Sequence, residues 1–294
     1  MNIKIATYYK NARSAFSFVF DDGCYKESTL DAYEILKDVY EKTGVKIKIT
    51  SAQTVGFLDK DLIGMWKELI SEGYFDICGH SMNHCLCYND KTDPELLRKD
   101  ARETKEALEE IYSVPIIAYV TPGGGSNQTG WDILKELYYA NRNGNDRIND
   151  TYTMNLYDIG TFTANHSYGA KEYINNIDKT IKTGGWSVQM NHWLSKKEQD
   201  THHAQKYDTF APECVYLAEQ ALKNNVWACS LNDMIKYIYL RDNSTLDIES
   251  TTEGTRVTLK TSLPVDIFDH PLTLILENGS TCVDILPNET VVLQ

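Results

Sequence analysis

The sequence predicts a closed or nearly closed (β/α) barrel followed by a small antiparallel β appendage. Short apolar stretches typical of strands alternate with longer amphipathic stretches typical of helices over roughly the first 240 residues. About seven such units occur, which favours a barrel over an open sheet, and their repetition implies parallel strands joined by right-handed crossovers. After Asn243 the helical pattern stops, and short alternating segments follow, separated by Gly, Pro and Asn.

Seven apolar stretches predict the strands. The first, Ala15–Phe20, reads AFSFVF and is apolar, aromatic and β-branched, as expected for a strand that is buried on both faces. The others are shorter and are bounded by turn residues. The predicted strands cover residues 15–20, 45–50, 74–78, 115–120, 159–164, 186–190 and 226–230.

Helices are predicted between these strands. The clearest begins at Asp93, an N-cap residue followed by Pro94 at the first helical position, and its apolar positions recur at helical spacing. Another ends at Gly44, a typical helix stop. The remaining predicted helices cover residues 28–43 (the one that ends at Gly44), 60–72, 130–139, 170–183 and 212–224, with one more after the last strand.

Two domains follow from this pattern. Residues 1–242 are expected to form the barrel, and residues 243–294 a β-rich appendage. The appendage is too short for much of a core of its own, so we expect it to pack on the barrel. A structural lid is the favoured interpretation, with a carbohydrate-binding module as the alternative.

The charge balance excludes several classes of partner. The chain has 42 acidic and 29 basic residues, a formal net charge of −13, which disfavours binding to nucleic acid or to an anionic membrane. No apolar stretch is long enough to span a bilayer, and Lys4, Lys10 and Arg13 interrupt any signal-peptide pattern after Met1. We therefore expect a cytoplasmic protein, unless a leader has been removed from a secreted one.

Polar side chains follow three of the predicted strands. Asp21 and Asp22 come directly after the first strand, where neighbouring side chains point in opposite directions, so one can bind a metal while the other acts as a base. A turn with two solvated acids is the alternative interpretation. His80 and His84 are four residues apart, a spacing used to chelate zinc, and Asp22 would complete a His₂-carboxylate site with open positions.

The third of these positions is His192, which follows the strand at 186–190. From there an imidazole would face the metal across the barrel mouth and could protonate a leaving group. Trp193, next to it, is the best candidate for a ring that contacts substrate. His166, His203 and His270 are expected to be solvated or structural, as is His202, which lies outside the residues that the structure describes.

These motifs resemble those of the polysaccharide deacetylases with a NodB homology domain, carbohydrate esterase family 4. The segments that carry the resemblance are FVFDDG at residues 18–23 and HSMNH at residues 80–84. The family's late Leu-x-His motif appears here as Met190-Asn191-His192. The resemblance extends over roughly residues 14–240 and implies a distorted (β/α)7-type barrel.

The resemblance also implies roles for individual residues. Asp22, His80 and His84 would bind a divalent metal, most often Zn²⁺ with Co²⁺ possible, while Asp21 would be the general base and His192 the general acid.

Two further positions follow from the same resemblance. The backbone N–H of Gly123 would stabilise the tetrahedral oxyanion. Ser81 would orient the loop between the two histidine ligands.

The chain departs from the family pattern in two places. Members usually carry Arg-x-Pro-Tyr on the strand after the histidine motif, with the Arg bound to the catalytic Asp, whereas this chain has Val-Thr-Pro-Gly at 120–123. We hypothesise that Arg142, from a neighbouring strand end, supplies the missing cation. The family's Asp-x-x-Asp-Trp motif has no recognisable counterpart.

The sequence thus predicts a metal-dependent hydrolase that removes acetyl groups from N- or O-acetylated carbohydrate. The residues do not distinguish an amide from an ester, because both are hydrolysed through the same tetrahedral chemistry. Two alternatives remain open at this point: a catalytically weak carbohydrate-binding relic of the same fold, and a small-molecule amidohydrolase.

Overall fold

A computed structural model describes residues 3–201, 203–276 and 281–293. A short strand, β1 (Ile3–Ile5), precedes seven parallel strands that form a barrel, in which each strand is hydrogen-bonded to the next and the first also pairs with the last. The barrel strands are β2 (Ala15–Phe20), β3 (Ile49–Gln53), β4 (Phe75–Gly79), β5 (Ala118–Val120), β6 (Ala140–Asp146), β7 (Ile159–Thr163) and β8 (Trp186–Asn191). The predicted fold class is confirmed.

Helices connect the strands and cover the outside of the barrel. They are α1 (Lys26–Thr43), α2 (Lys60–Ser71), α3 (Pro94–Tyr112), α4 (Gln128–Leu134), α5 (Ala170–Thr183), α6 (Tyr207–Leu222) and α7 (Leu231–Asp242). The start of α3 is as predicted, because the side chain of Asp93 accepts a hydrogen bond from the N–H of Glu95 and Pro94 follows it. None of the helices in the described residues is long and apolar enough to cross a membrane.

The side chains of β2 divide between two cores. Phe16, Phe18 and Phe20 point outward and pack in one cluster with the apolar faces of the surrounding helices. Ala15 and Val19 belong to a second cluster inside the barrel. The strand is therefore buried on both faces, which explains why its sequence is apolar at successive positions.

The interior of the barrel combines large side chains, such as Trp186 and Val188 of β8, with small ones. The second cluster takes Ala52 from β3, Cys78 from β4, Ala118 from β5 and Ala140 from β6. Because the diameter of a barrel grows with the number of its strands, seven strands leave less room inside than eight. Small residues at these positions allow the ring to close.

The predicted course of the chain is wrong between residues 130 and 146. Instead of a helix over 130–139, α4 ends at Leu134, and β6 forms the fifth strand of the ring. The sequence of β6, ANRNGND, lacks the apolar and β-branched residues by which strands are recognised. The predicted strand at 226–230 is only β11 (Trp227–Ala228), which pairs with the start of β2.

Beyond the barrel, the remaining strands form small separate sheets. They are β9 (Trp193–Ser195), β10 (Ala204–Lys206), β12 (Ser244–Thr251), β13 (Gly254–Thr261), β14 (Leu272–Leu276), β15 (Thr281–Ile285) and β16 (Thr290–Leu293). One antiparallel sheet has the order β12-β13-β16, and another has the order β1-β14-β15. Their apolar residues, including Leu259 and Leu274, share a core with Tyr237 and Leu240 of α7.

Candidate metal centre and active site

The candidate residues lie at the carboxyl ends of the barrel strands. Because the strands are parallel, these ends meet at one mouth of the barrel. Asp21 and Asp22 follow β2, His80 follows β4, Arg142 lies in β6, and His192 follows β8. Residues distant in sequence are thereby brought together, and we describe them in turn.

Asp22, His80 and His84 form a compact group of possible metal ligands. One ligand atom from each residue lies within 4.8 Å of the others. Oδ1 of Asp22 is 3.6 Å from Nε2 of His80 and 3.9 Å from Nε2 of His84. No other such group of three or more His, Cys, Asp or Glu side chains occurs in the part of the chain that the structure describes.

The orientation of His80 fits a bound cation. Its Nδ1 lies 2.8 Å from the carbonyl oxygen of Val120, which can only accept a hydrogen bond, so this nitrogen carries the proton. The other nitrogen, Nε2, is buried and has no hydrogen-bond partner among the described residues, and its lone pair lies beside Asp22. Burial lowers the pKa of His80, which keeps the ring neutral. These are the features of a metal-binding imidazole.

Left-handed backbone conformations shape this site. Asp22, Ser81 and His84 have φ angles of 73°, 73° and 55°, which are uncommon for residues with a side chain. The hydroxyl of Ser81 accepts a hydrogen bond of 2.8 Å from the N–H of His84 and so closes the turn between the two histidines. Strained backbone of this kind often occurs where a ligand site needs it.

Two side chains that the sequence analysis did not select hold the histidine loop in place. Oδ1 of Asp100, on α3, accepts a hydrogen bond of 3.1 Å from the N–H of Met82, and the hydroxyl of Thr54 donates to the carbonyl of His80 at 2.9 Å. Asp100 is a carboxylate on the buried stripe of α3, next to Ala101. A charge on an apolar stripe was the signal available in the sequence.

Asp21 is not part of the Asp22–His80–His84 group and instead pairs with Arg142. Both oxygens of the Asp21 carboxylate accept hydrogen bonds from Nη2 of the guanidinium, and the two side chains are almost fully buried. Burial raises the pKa of Asp21, but the positive charge of Arg142 and its hydrogen bonds outweigh that effect and hold the pKa below its usual value. Asp21 is therefore ionised, and the contact supports the hypothesis made for Arg142.

His192 also lies at the mouth of the barrel, and one nitrogen of its ring makes no hydrogen bond within the described residues. Its Nδ1 is buried and finds no hydrogen-bond partner within the described ranges. Its backbone N–H donates to the carbonyl of His203 at 3.1 Å, and the two imidazole centroids are 5.0 Å apart. Burial lowers the pKa of His192, while the charges of Asp21 and Asp22 partly offset this.

Trp193 lines a cavity whose lining in the described chain comes from Tyr25, α1 and residues 193–200 and does not include Asp22, His80, His84 or His192. Its ring centroid is 4.8 Å from that of Tyr25, whose hydroxyl donates to Oδ2 of Asp22 at 3.2 Å. The two rings help to line this cavity of about 520 Å³. Tyr25 was not selected from the sequence, although it stands only three residues after Asp22.

Gly123 lies in the turn that follows β5. Its φ angle of 66° is left-handed, a conformation that glycine adopts at little cost. A side chain at this position would meet no other atom within 4 Å, so the backbone here borders open space. Its neighbour Gly124 contacts Gly144 of β6 so closely that a side chain would be crowded.

The comparisons with known proteins agree with this picture. A family profile described as Polysaccharide deacetylase matches residues 9–141, which include the group of metal-type ligands but neither Arg142 nor His192. No curated protein sequence matches the chain.

Solved structures have a similar fold. A proposed polysaccharide deacetylase from Mycobacterium smegmatis superposes with a TM-score of 0.57 at 12% identity, covering 81% of this chain and 94% of that one. A family 4 acetyl xylan esterase from Clostridium thermocellum, in complex with a cobalt ion, has a TM-score of 0.50 at 15% identity, covering 75% and 89% respectively. At such low identity these likenesses show the fold alone, while the profile match over residues 9–141 and the motifs make that part of the chain similar to the polysaccharide deacetylase family.

Proposed function

We propose that this protein is a metal-dependent hydrolase that removes acetyl groups from an N-acetylated or O-acetylated carbohydrate. The observation that carries the proposal is the arrangement at the barrel mouth, where the Asp22–His80–His84 group lies beside the Asp21–Arg142 pair. The match of residues 9–141 to the profile described as Polysaccharide deacetylase supports a carbohydrate as the substrate.

Asp22, His80 and His84 would hold the metal. Two imidazoles and a carboxylate suit zinc and leave coordination positions open, and the cobalt ion in the Clostridium esterase supports cobalt as a second choice. When bound, the cation supplies Lewis acidity, which polarises an acetyl carbonyl and makes water more acidic. Ser81 contributes by holding His84 in the turn.

Asp21 would act as the general base. The carboxylate accepts a proton as a water molecule attacks the acetyl carbonyl carbon. Arg142 keeps this carboxylate ionised and fixes its orientation, because it binds both oxygens. The N–H of Gly123 would donate a hydrogen bond to the oxyanion that forms, since the backbone there borders open space.

His192 would act as the general acid. When the bond between the acetyl carbon and the sugar nitrogen or oxygen breaks, the departing atom needs a proton, which the imidazolium donates. Because burial lowers the pKa of His192, its imidazolium would release a proton more readily than an ordinary imidazolium. Trp193, whose ring centroid is 6.0 Å from that of His192, would contact the sugar.

The proposal is tested by acetate release. Purified protein is stripped with a chelator, reloaded with zinc or cobalt, and assayed on N-acetylglucosamine oligomers and on acetylated xylan. We expect release only from the reloaded protein, and the preferred substrate will show whether the acetyl group is held by an amide or an ester. Full activity after exhaustive chelation would contradict the metal role, and no release from either substrate class would favour a binding relic.

A further inference from the structure

A buried polar cluster lies behind the barrel mouth, on the outer face of β8. It consists of Gln189 and Asn191 of β8, Gln205 of β10 and Glu213 of α6, and none of these side chains is exposed to solvent. Apolar residues fill most of the layer between this strand and its helices. Four polar side chains gathered there are unusual, because buried polar groups are unfavourable unless they bind one another.

Glu213 is the centre of the cluster. Its Oε2 accepts hydrogen bonds from Nε2 of Gln205 at 2.6 Å and from Nε2 of Gln189 at 3.2 Å. Its other oxygen, Oε1, is buried and has no partner in the described residues. Burial raises the pKa of Glu213 to about 8, although the two glutamine contacts lower it in part, so the carboxyl group is mainly protonated at neutral pH.

The cluster is connected to the proposed active site through Asn191. Nδ2 of Asn191 donates to Oε1 of Gln205 at 2.8 Å, and the next residue along the chain is His192. The carbonyl of Asn191 accepts a hydrogen bond of 2.8 Å from the N–H of Asp21. One residue thus links the backbone positions of the proposed base and the proposed acid.

We propose that Glu213 is a positioning residue for the proposed reaction. Through Gln205 it fixes Asn191, and Asn191 sets the position of His192 relative to Asp21. The inference rests on the proposed function of His192 and adds a residue that does not contact the substrate. It requires a neutral hydrogen-bonding group at position 213 rather than a charge.

The test compares variants of the metal-loaded protein. Glu213→Leu removes the hydrogen bonds, and because a displacement of 1 Å can lower rates about 100-fold, we expect kcat to fall by about 10- to 100-fold with KM within about twofold. Glu213→Gln keeps the hydrogen bonds and should retain kcat within about threefold. If Glu213→Leu does not fold, Gln205→Ala removes the link to Asn191 and should show the same pattern.

Asn176→Ala is the matched control. Asn176 of α5 donates to the hydroxyl of Ser187 at 3.1 Å, so it binds the same face of β8 four residues before Asn191. This variant should lower stability but leave kcat within about twofold, because it does not touch the end of the strand. Equal losses of kcat in Asn176→Ala and Glu213→Leu would overturn the proposal, as would a Glu213→Gln variant as inactive as Glu213→Leu.

Amide hydrogen exchange gives a readout that does not depend on activity. The N–H groups of Asp21 and His192 should exchange faster in Glu213→Leu than in the wild-type protein, whereas in Asn176→Ala their exchange rates should not change. Each rate is compared with the rate expected from global unfolding of the same variant. Unchanged exchange at both amides in Glu213→Leu would contradict the positioning role. If the wild-type protein released no acetate, the proposed function would fail, and the exchange result alone would decide the role of Glu213.

Discussion

At the amino-terminal end of the barrel, Lys48 binds two carboxylates, with Nζ 2.9 Å from Oδ1 of Asp233 and 3.7 Å from Oδ2 of Asp76. At the carboxyl-terminal end, Asp22 instead lies beside two imidazoles, with its Oδ1 3.6 Å from Nε2 of His80 and 3.9 Å from Nε2 of His84. The first arrangement joins opposite charges and holds β3, β4 and α7 together. The second arrangement brings together atoms that can donate electron pairs to a metal. These atoms add to the stability of the fold only when a cation is bound between them.

The charged groups at the base of the barrel therefore contribute to stability, whereas the Asp22–His80–His84 group at the mouth serves activity. Substitutions in the Asp22–His80–His84 group should remove activity with little loss of stability, or even a gain, since functional sites are often held at the expense of stability. Substitutions at the base should have the opposite effect. The following predictions test this division, beginning with the largest expected effect.

The largest effect is expected from Asp22→Asn. Asparagine tolerates the left-handed backbone at this position, but its amide is a poor metal ligand. We expect kcat/KM to fall by at least about 1,000-fold and metal binding, measured by calorimetry, to weaken strongly. The free energy of unfolding of the metal-free protein should not decrease. A clear loss of stability in this variant would show that Asp22 has a structural role.

A smaller loss of activity, with a loss of stability, is expected from Arg142→Ala. Removing the guanidinium raises the pKa of Asp21, so the acid limb of the pH–rate profile should move to higher pH. Because the buried carboxylate loses its partner, the free energy of unfolding should fall by about 3 kcal/mol. Unchanged turnover and an unchanged pH profile would contradict the role proposed for Arg142.

A double variant sharpens this second test. Asp21→Asn combined with Arg142→Ala removes the unpaired negative charge, so part of the lost stability should return while activity stays low. Stability that falls by the sum of the two single effects would show that the two side chains do not interact.

The pH dependence of stability should report on Glu213. Its pKa is raised from about 4.5 in the unfolded chain to about 8 in the folded protein, so the folded state holds the proton more tightly. The stabilisation is fully present below about pH 4.5 and is lost as the pH rises through about 8, by up to about 1.4 kcal/mol per pH unit within that window. Urea unfolding should show this slope in the wild-type protein and a flatter one in Glu213→Gln; identical slopes would contradict it.

The smallest effect is expected from Lys48→Met at the base of the barrel. Lys48 is partly exposed, and we expect a loss of about 1–2 kcal/mol in the free energy of unfolding. Acetate release per folded molecule should be unchanged, because the mouth is not affected. A change in kcat in this variant would show that the two ends of the barrel are coupled.

The sequence was informative where chemistry and pattern coincide. Asp21 and Asp22 follow an apolar strand, and the spacing of His80 and His84 is that of a chelating pair. The sequence therefore predicted both a barrel mouth and these four residues as members of a site there. The contact between Arg142 and Asp21 was anticipated only because the family resemblance left a cation missing.

The parts of the fold and of the site that the sequence did not predict depend on tertiary contacts. β6 was not predicted, because its polar residues are buried by partners that the sequence does not reveal, as when Asn141 donates to the carbonyl of Tyr157. Tyr25 and Asp100 escaped notice for a similar reason. Asp100 accepts a hydrogen bond from the N–H of Met82, which only folding brings near. Tyr25 stands close to Asp22 in the sequence, but only the structure shows that its hydroxyl donates to that carboxylate.

The pairing of β1 with β14 has a consequence for how the chain is made and dissected. Residues 3–5 are hydrogen-bonded to residues 274–276, so this sheet forms only after the chain up to residue 276 has left the ribosome. Truncating the chain at residue 242 would deprive β1 of its partner strand and expose the apolar surface of α7. An isolated barrel for crystallography would therefore need both β1 and the later strands removed, together with polar replacements on that helix.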